Sequence, residues 1–511
     1  MAIQTFAAIH VGSYNLTMKI YEIMPRKGFK LIDTVTSHVE LGADTYTTGR
    51  LSNQSVDVIC DMLLKFKKKM KEYQTVVYSA YATSAVREAV NCEFVLDRIM
   101  TRTGIEVKTA SNSEHRFMMY EGIAATLVDF PKIIQKNTVI IDVAAGSIQV
   151  SLFDKNKLSV TQNITIGSLR IREMLGNMGA SKMHMKELIE EYVENELDSF
   201  ENMYLKEKEI KNIIGVGEEI HALAKLAPEM NITATINAKQ LEYICDKLEK
   251  EDAEVLGQRY GISYEWVTLL VPSAIIYQNL LARAKAEVIY ISDSTFCDGI
   301  VTEYMESEKK LTLGHDFQSD IISSAEFIAK RYRCEKKHNE IVVNTALSIF
   351  DNIKKLHGLN QKAKLQLQLA AILHECGKYV NINNVADNSY HIVMSTEILG
   401  ISHKERRELA YICRYVAEDF PAYEELMDHL NIDQYSKIAK LTAIIRLANA
   451  MDRSHRQKIQ RFNVVIKDKR MEIVADTVHD ISLELGLFDD AADFFEDVYG
   501  IRAVLRQKRS V

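Results

Sequence analysis

The sequence predicts an α/β protein with two duplicated halves, followed by an all-α region and a small α+β tail. Three observations predict it. Residues 138–154, TVIIDVAAGSIQVSLFD, read as a strand, a tight Ala-Ala-Gly-Ser bend and a second strand. Residues 5–23, TFAAIHVGSYNLTMKIYEI, repeat that pattern, with Ile9-His10-Val11-Gly12-Ser13 set beside Ile141-Asp142-Val143-Ala144-Ala145. From about residue 310 the strand pattern gives way to amphipathic helices up to about 455, and a hairpin resumes at 462. The expected boundaries are 1–125, 126–305, 306–458 and 459–511.

The elements follow in order. The first hairpin and Gly49 lead to a helix over about 52–72, with Val56, Ile59, Leu63, Phe66 and Met70 on one face. The lysines at 65, 67, 68, 69 and 71 lie largely off that face and read as solvated. VVYSAYATSAVREAVN (76–91) reads as a strand entering a helix that Thr83 or Ser84 caps, with Arg87 in its first turns. A helix start beside an arginine suits an anion, although without context a plain surface arginine is the commoner case. Residues 105–109 form a short strand, and Ser111 or Ser113 caps the next helix, placing Glu114 and His115 near its start.

In the second half, 158–175 gives a strand, Gly167-Ser168 and a helix with Arg170. Residues 183–208 are helical, IIGVGEEIHALAK (213–225) is strand, glycine turn and helix, and helices fill 238–284. VIYISDSTFCDGIV (288–301) reads as a last strand plus turn. Beyond 310, His338, the pair His374-Glu375 and Asp452 sit on helices and could ligate a divalent metal, or be unrelated polar residues of a bundle. The tail reads as a hairpin, an acidic helix near 486–498 and a short strand with a basic end.

Composition narrows the class. The chain has 511 residues, 47% hydrophobic and 26% charged, enough for roughly three to four soluble domains. The net charge of −7 argues against general nucleic-acid binding. Seven cysteines without a C-x-x-C pair fit a reducing compartment, with neither a disulfide framework nor a zinc motif. The start MAIQTFAAIH lacks a basic region before an apolar run, so a cytoplasmic protein is expected. The apolar stretch 266–284 is interrupted by Pro272, Ser273, Gln278 and Asn279 and reads as a buried helix, not a membrane span.

A bend of small residues beside an acid lets backbone N–H groups approach a phosphate while the acid holds a metal or a water. An ordinary core hairpin fits the same residues. Two such hairpins facing each other leave a cleft with one loop on each wall.

The order of motifs resembles the Ppx/GppA family, the exopolyphosphatases and guanosine pentaphosphate phosphohydrolases. The matching stretches are ATSAVREAVN (82–91), GIEVKTAS (104–111), the hairpin 138–154, NITIGSLRIREML (163–175), GVG (215–217), ILHECG and RLANAMDRS. The resemblance implies an actin-like ATPase (ribonuclease H-like) fold for the first two domains, an HD-like helical domain and a small α+β C-terminal domain. It implies release of terminal phosphate from inorganic polyphosphate or pppGpp, with Mg²⁺, a carboxylate-positioned water and a homodimer, and no nucleic-acid or membrane partner. Carried over by residue, Gly12, Ser13, Asn15, Arg87, Gly146, Ser147, Gly167 and Gly217 hold phosphate. Asp142, Glu114, His115 and His10 are the catalytic candidates. Asp142 is the metal ligand, with His338, His374, Glu375 and Asp452 as further candidates.

The chain also departs from the pattern. His10 replaces the acid of the first loop, His115 the general base, and Gln149 the closing glutamate of the second loop. Ala144 and Ala145 replace glycines, Glu218 and Glu219 follow Gly217, and Cys297-Asp298-Gly299 stands for Arg-Glu-Gly. Losing a general base typically removes about 10²–10⁴-fold in rate. The alternative is therefore a relative that binds polyphosphate or a guanosine nucleotide as a regulator without turnover. Glu114, one position from His115, could substitute. His10 and His115 could bind phosphate when protonated, or Zn²⁺ together with Asp142, or simply mark an unused site. A third reading gives the helical domain HD-type phosphohydrolase chemistry.

Overall fold

In the computed structural model, which describes residues 4–127, 129–177, 185–205, 208–467 and 470–508, two sheets of one winding build the first unit, Met1–Asp320. β1 (Gln4–Val11), β2 (Asn15–Met24) and β3 (Gly28–His38) form an antiparallel meander. After α1 (Leu41–Thr48) and α2 (Asn53–Glu72), β4 (Val77–Ala82) pairs parallel to β1. After α3 (Ser84–Arg87) and α4 (Cys92–Thr103), β5 (Lys108–Thr109) pairs parallel to β4, and α5 (Asn112–Thr126) closes the half.

The second half repeats this plan. The short α6 (Phe130–Ile133) precedes the meander of β6 (Thr138–Val143), β7 (Ile148–Asp154) and β8 (Lys157–Ile164). α7 (Ser168–Asn177) and α8 (Met185–Phe200) precede β9 (Asn212–Val216), parallel to β6. Next come α9 (Glu218–Lys225), β10 (Thr235–Asn237), α10 (Ala238–Lys250), α11 (Ala253–Tyr260) and α12 (Tyr264–Ala284). β11 (Val288–Ile291) then pairs parallel to β9, and α13 (Phe296–Ser307) follows. The orders β3-β2-β1-β4-β5 and β8-β7-β6-β9-β11 are the same winding, with β10 added at one edge. This duplicated α/β architecture is actin-like.

Sequence explains the elements. All six residues of β6 are buried because it is central and paired on both sides, which suits its Val-Ile-Ile run. Val56, Ile59, Leu63, Phe66 and Met70 of α2 are buried, and Ser52 caps it by accepting from the Ser55 N–H at 3.1 Å. α12 is long and apolar enough to cross a membrane by length and composition, and most of it is buried inside the fold.

Two sequence expectations change, and a third falls partly outside the described residues. The helix expected through Arg87 to 91 is the single turn α3, and Thr83 at its start makes no capping hydrogen bond. The segment 288–301 begins with the expected strand, Val288–Ile291, but its end is not a turn: from Phe296 it is helical, started by the Asp298 carboxylate accepting from the Thr295 N–H at 2.8 Å. Of the helical stretch expected over 183–208, Met185–Phe200 is α-helix and Glu201–Leu205 a π-helical turn, whereas 183–184 and 206–207 lie outside the described residues. α13 returns to the first sheet: Tyr304 stacks on Phe6 with ring centroids 4.4 Å apart, and the Cys297 thiol donates to Ala8 O at 3.7 Å.

The second unit, Ile321–Val511, is helical and ends in a small sheet. Its helices are α14 (Phe317–Arg331, which begins before the boundary), α15 (Lys336–Asn352), α16 (Lys354–His357), α17 (Gln361–Leu373), α18 (Val385–Ser395), α19 (His403–Val416), α20 (Tyr423–Leu426) and α21 (Ile432–Ala450). β12 (Phe462–Lys467) and β13 (Arg470–Ala475) are antiparallel, and α22 (Ser482–Tyr499) leads to β14 (Arg502–Gln507), parallel to β13.

Candidate functional site

The two hairpin bends face one another across a cleft of the first unit. His10 on β1 and Asp142 on β6 hold equivalent positions two residues before each bend. Each bend is closed by the same bond: the Gly12 N–H donates to Asn15 O at 2.8 Å, and the Ala144 N–H to Ser147 O at 3.0 Å. Glycine is required at position 12, where a Cβ would stand 2.8 Å from Asn15 O and 2.9 Å from the His10 ring. His10, Gly12, Ser13 and Asn15 line the cleft from one loop, and Asp142, Gly146 and Ser147 from the other. Arg87, His115 and Gly217 complete the set of predicted residues found there.

Two predicted residues lie elsewhere in role. Glu114 is committed to the start of α5, accepting from the Ser111 N–H at 2.9 Å while its own N–H donates to Ser111 Oγ at 3.1 Å. It does not line the cleft and cannot stand in for the base without giving up that cap. Gly167 supports the second loop from behind, where a Cβ would lie 2.3 Å from Ala145 O. Arg87 is held by its donations to Ala110 O (2.7 Å) and Asn112 Oδ1 (2.6 Å), so it faces the cleft as a fixed cation.

The imidazole pair is neutral. Burial lowers His10 to about 4, and burial with the nearby His10 lowers His115 to about 3. His10 Nε2 lies 3.2 Å from Thr83 Oγ1, and His115 Nδ1 lies 2.7 Å from Gln149 Nε2. Phe296 covers both rings, with centroids at 5.0 and 4.3 Å. Burial thus disfavours the charged form in which the two histidines were expected to bind phosphate. The Zn²⁺ reading with Asp142 is corrected: the ring centroids are 6.3 Å apart, and these three residues do not bring donor atoms together within 4.8 Å.

The acidic side chains of the cleft are instead Asp142, Glu218 and Glu219. β6 and β9 pair with Asp142 opposite Val216, so Gly217 and the start of α9 follow directly beside Asp142. A Cβ on Gly217 would stand 2.9 Å from Asp142 Oδ1 and 3.5 Å from Glu219 Oε2. Burial raises Asp142 to about 7, partly offset by Arg116. Burial, then the charges of Asp142 and Glu218, push Glu219 well above the usual carboxylate range. In the sequence, Glu218 and Glu219 stood out only as a departure from the family pattern after Gly217. Their position after a glycine at the end of a strand parallel to β6 was the available clue.

The loops also touch. Tyr14 of the first and Ala145 of the second share one buried apolar cluster with Leu169 and Leu269. Ser13 Oγ lies 2.8 Å from both Tyr46 Oη and Ser84 Oγ, and Asn15 Nδ2 donates to Glu218. In the second unit, His338 Nδ1 lies 2.9 Å from Asp452 Oδ2, and His374 and Glu375 are buried nearby.

Residues 19–308 match the Ppx/GppA phosphatase family, and residues 322–487 match domain III of that family. The chain belongs to the Ppx/GppA phosphatase family. Among curated relatives of this family member, the guanosine-5'-triphosphate,3'-diphosphate pyrophosphatase of Photobacterium profundum is 19% identical over 461 residues, which span 87% of this chain and 86% of that one. The same-named protein of Aeromonas hydrophila is 19% identical over 427 residues, 81% of each chain. The crystal structure of an exopolyphosphatase from Cytophaga hutchinsonii superposes with a TM-score of 0.53 at 17% identity, covering 60% of this chain and all of that one. A family member from Aquifex aeolicus gives 0.50 at 20% identity, covering 60% and 99%. These two likenesses establish the fold.

Proposed function

We propose that the cleft hydrolyses a terminal phosphoanhydride of inorganic polyphosphate or of a pppGpp-type guanosine nucleotide. The observation that carries this reading is the placement of buried Asp142 and half-buried Glu219 on either side of Gly217, between two phosphate-type loops. Mg²⁺ suits these side chains by donor type: Asp142, Glu218 and Glu219 offer oxygen only, and although the three do not bring one donor atom each within 4.8 Å of one another, this ion is usually held by one or two carboxylates together with water and substrate phosphates. Asp142 and Glu218 would hold the ion, which when bound supplies charge for the phosphate oxygens. Glu219 accepts the proton of the attacking water, because a carboxylate raised by burial and neighbouring charge is a stronger base. Arg87 and Lys19 place positive charge on the cleft wall for the equatorial oxygens, and Ser147 offers a hydroxyl.

One observation favours a second reading. The neutral His115–Gln149 pair occupies the positions where the family pattern carries two acids, which suits a relative that binds the phosphate chain as a regulator. The test is phosphate release from long-chain polyphosphate and from pppGpp with Mg²⁺. The first reading expects release that Glu219→Gln lowers by about 10²–10⁴-fold. Calorimetric binding with no release from either compound assigns the second.

The same resemblance supports further proposals: the division 1–125, 126–305, 306–458 and 459–511, an HD-like arrangement of the helices, a cytoplasmic homodimer, and no nucleic-acid or membrane partner. Sedimentation of the full chain tests the dimer.

A further inference from the structure

Three imidazoles in the second unit are oriented alike. His338 Nδ1 lies 2.9 Å from the Asp452 carboxylate, His374 Nδ1 2.9 Å from Ala371 O, and His455 Nδ1 2.8 Å from the Glu335 carboxylate. Each acceptor fixes the proton on Nδ1 and leaves Nε2 as a lone pair. For His338 and His374 that Nε2 is buried and has no hydrogen-bond partner. Both side chains are essentially inaccessible, at 0% and 1% exposure. An orphaned buried acceptor is costly, and two beside each other need a reason.

The lone pairs gather around one carboxylate. Glu375 Oε1 lies 3.9 Å from His338 Nε2 and 3.6 Å from His455 Nε2. One donor atom from each of His338, Glu375 and His455 lies within 4.8 Å of the other two. Tetrahedral donors around Zn²⁺ stand about 3.3 Å apart, so the two contacts to Glu375 need to draw in by only about half an ångström, whereas the His338 and His455 rings, stacked nearly parallel with centroids 3.7 Å apart, must tilt to aim both lone pairs at one ion. His374, with its ring 5.6 Å from that of His338, stands next to the group. The residues come from three separate places: the first turn of α15, the end of α17 and the loop after α21. Such convergence is not a by-product of one amphipathic face.

We propose that His338, Glu375 and His455 bind a borderline transition-metal ion such as Zn²⁺, Mn²⁺ or Fe²⁺, with His374 available as a further nitrogen donor. Two imidazoles and a carboxylate suit these ions, whereas Mg²⁺ prefers an all-oxygen set. Asp452 and Glu335 are positioning residues that orient His338 and His455. This revises the sequence expectation, in which Asp452 was a ligand and His455 had no part. Asp452 is occupied: its Oδ1 accepts from the Gln457 N–H at 2.7 Å while Oδ2 faces His338. Lys378 now neutralises Glu375, a role the ion takes over. The site opens to a surface depression whose wall includes Lys378, Asn449 and Arg453, so an ion has an entry path and its remaining position faces water or an anion.

The experiment uses the full chain, stripped with a chelator, titrated with Zn²⁺ by calorimetry and with Co²⁺ by visible absorption. One equivalent per chain is expected, with nitrogen and oxygen but no sulfur neighbours in X-ray absorption. His455→Asn, at a half-buried loop position, should lose at least 100-fold in affinity while circular dichroism stays native. His338→Ala should do the same if it folds, and Asp452→Asn should lose about 10–100-fold. No stoichiometric uptake overturns the proposal. So do uptake undiminished in His455→Asn, a sulfur shell from Cys334 or Cys376, or uptake abolished by Glu219→Gln instead.

Discussion

Gln149 Nε2 lies 2.7 Å from His115 Nδ1, an uncharged amide–imidazole contact that joins β7 of the second half to α5 of the first. Replacing the amide by an acid puts charge directly against the ring. Gln149→Glu should therefore raise His115 from about 3 by at least one pKa unit, because a nearby opposite charge favours the imidazolium. Imidazole titration by NMR checks this. A His115 that stays neutral down to pH 4 in the variant would refute it.

Asp142 gives stability a pH dependence of unusual sign. Its native pKa of about 7 lies above the ordinary 3.8, so between those values the native chain holds a proton that the unfolded chain has lost. Stability from this group falls as pH rises from about 4 to 7 and is level beyond. At about 1.4 kcal/mol per pKa unit the penalty is on the order of 4 kcal/mol at pH 8, shared with the coupled Glu219. In chelator, Asp142→Asn should raise the Tm at pH 8 and leave it nearly unchanged at pH 4. Thermal melts at the two pH values decide it, and equal shifts at both contradict the linkage.

The histidines act in the opposite direction over part of the same range. Burial holds His10 at about 4 and His115 at about 3, against 6.5 in the unfolded chain. As pH falls below 6.5 the unfolded state takes up protons that the native state refuses, and stability drops. Two such groups contribute a slope approaching about 2.7 kcal/mol per pH unit near pH 5. The double variant His10→Gln, His115→Gln should show a flatter urea midpoint between pH 7 and 5. An unchanged slope contradicts the neutral assignment.

Two glycines should answer alanine in opposite ways. At Gly299 a Cβ would lie 2.2 Å from Met118 O, on the backbone of α5, so α13 cannot accept it without moving. Gly299→Ala should destabilise by about 1–3 kcal/mol or more. At Gly486, inside α22, nothing lies within 4 Å, and Gly486→Ala should stabilise by about 0.5–1 kcal/mol. Denaturant midpoints of the two variants measure both.

Much of the first unit was legible because short-range patterns carried it. The apolar run before Asp142 and the small residues after it specify a buried hairpin, and the echo at His10–Ser13 exposes the duplication. Ser111 with Glu114 is a readable capping box, and it excludes Glu114 from the cleft. Where meaning depends on register, one dimension was silent. Glu219 matters only because β9 runs parallel to β6, which brings Gly217 to Asp142. α13 was mistaken for a turn because Ser, Asp, Thr and Gly surround Phe296, although Thr295 and Asp298 are a helix start. His455 lies in a polar loop with no periodicity, and its contacts with Glu335, Glu375 and the ring of His338 come from distant parts of the chain.

The return of α13 to β1 has a consequence for the birth of the chain. Phe6 and Ala8 leave the ribosome almost 300 residues ahead of Tyr304 and Cys297, which cover them. At typical translation speeds of about 5–20 residues per second, that interval is on the order of 15–60 s. Lys19 and Tyr21 wait as long for Asp298, which they hold at 3.1 and 2.9 Å. A nascent chain halted before residue 296 therefore presents the uncovered face of its first sheet to whatever meets it.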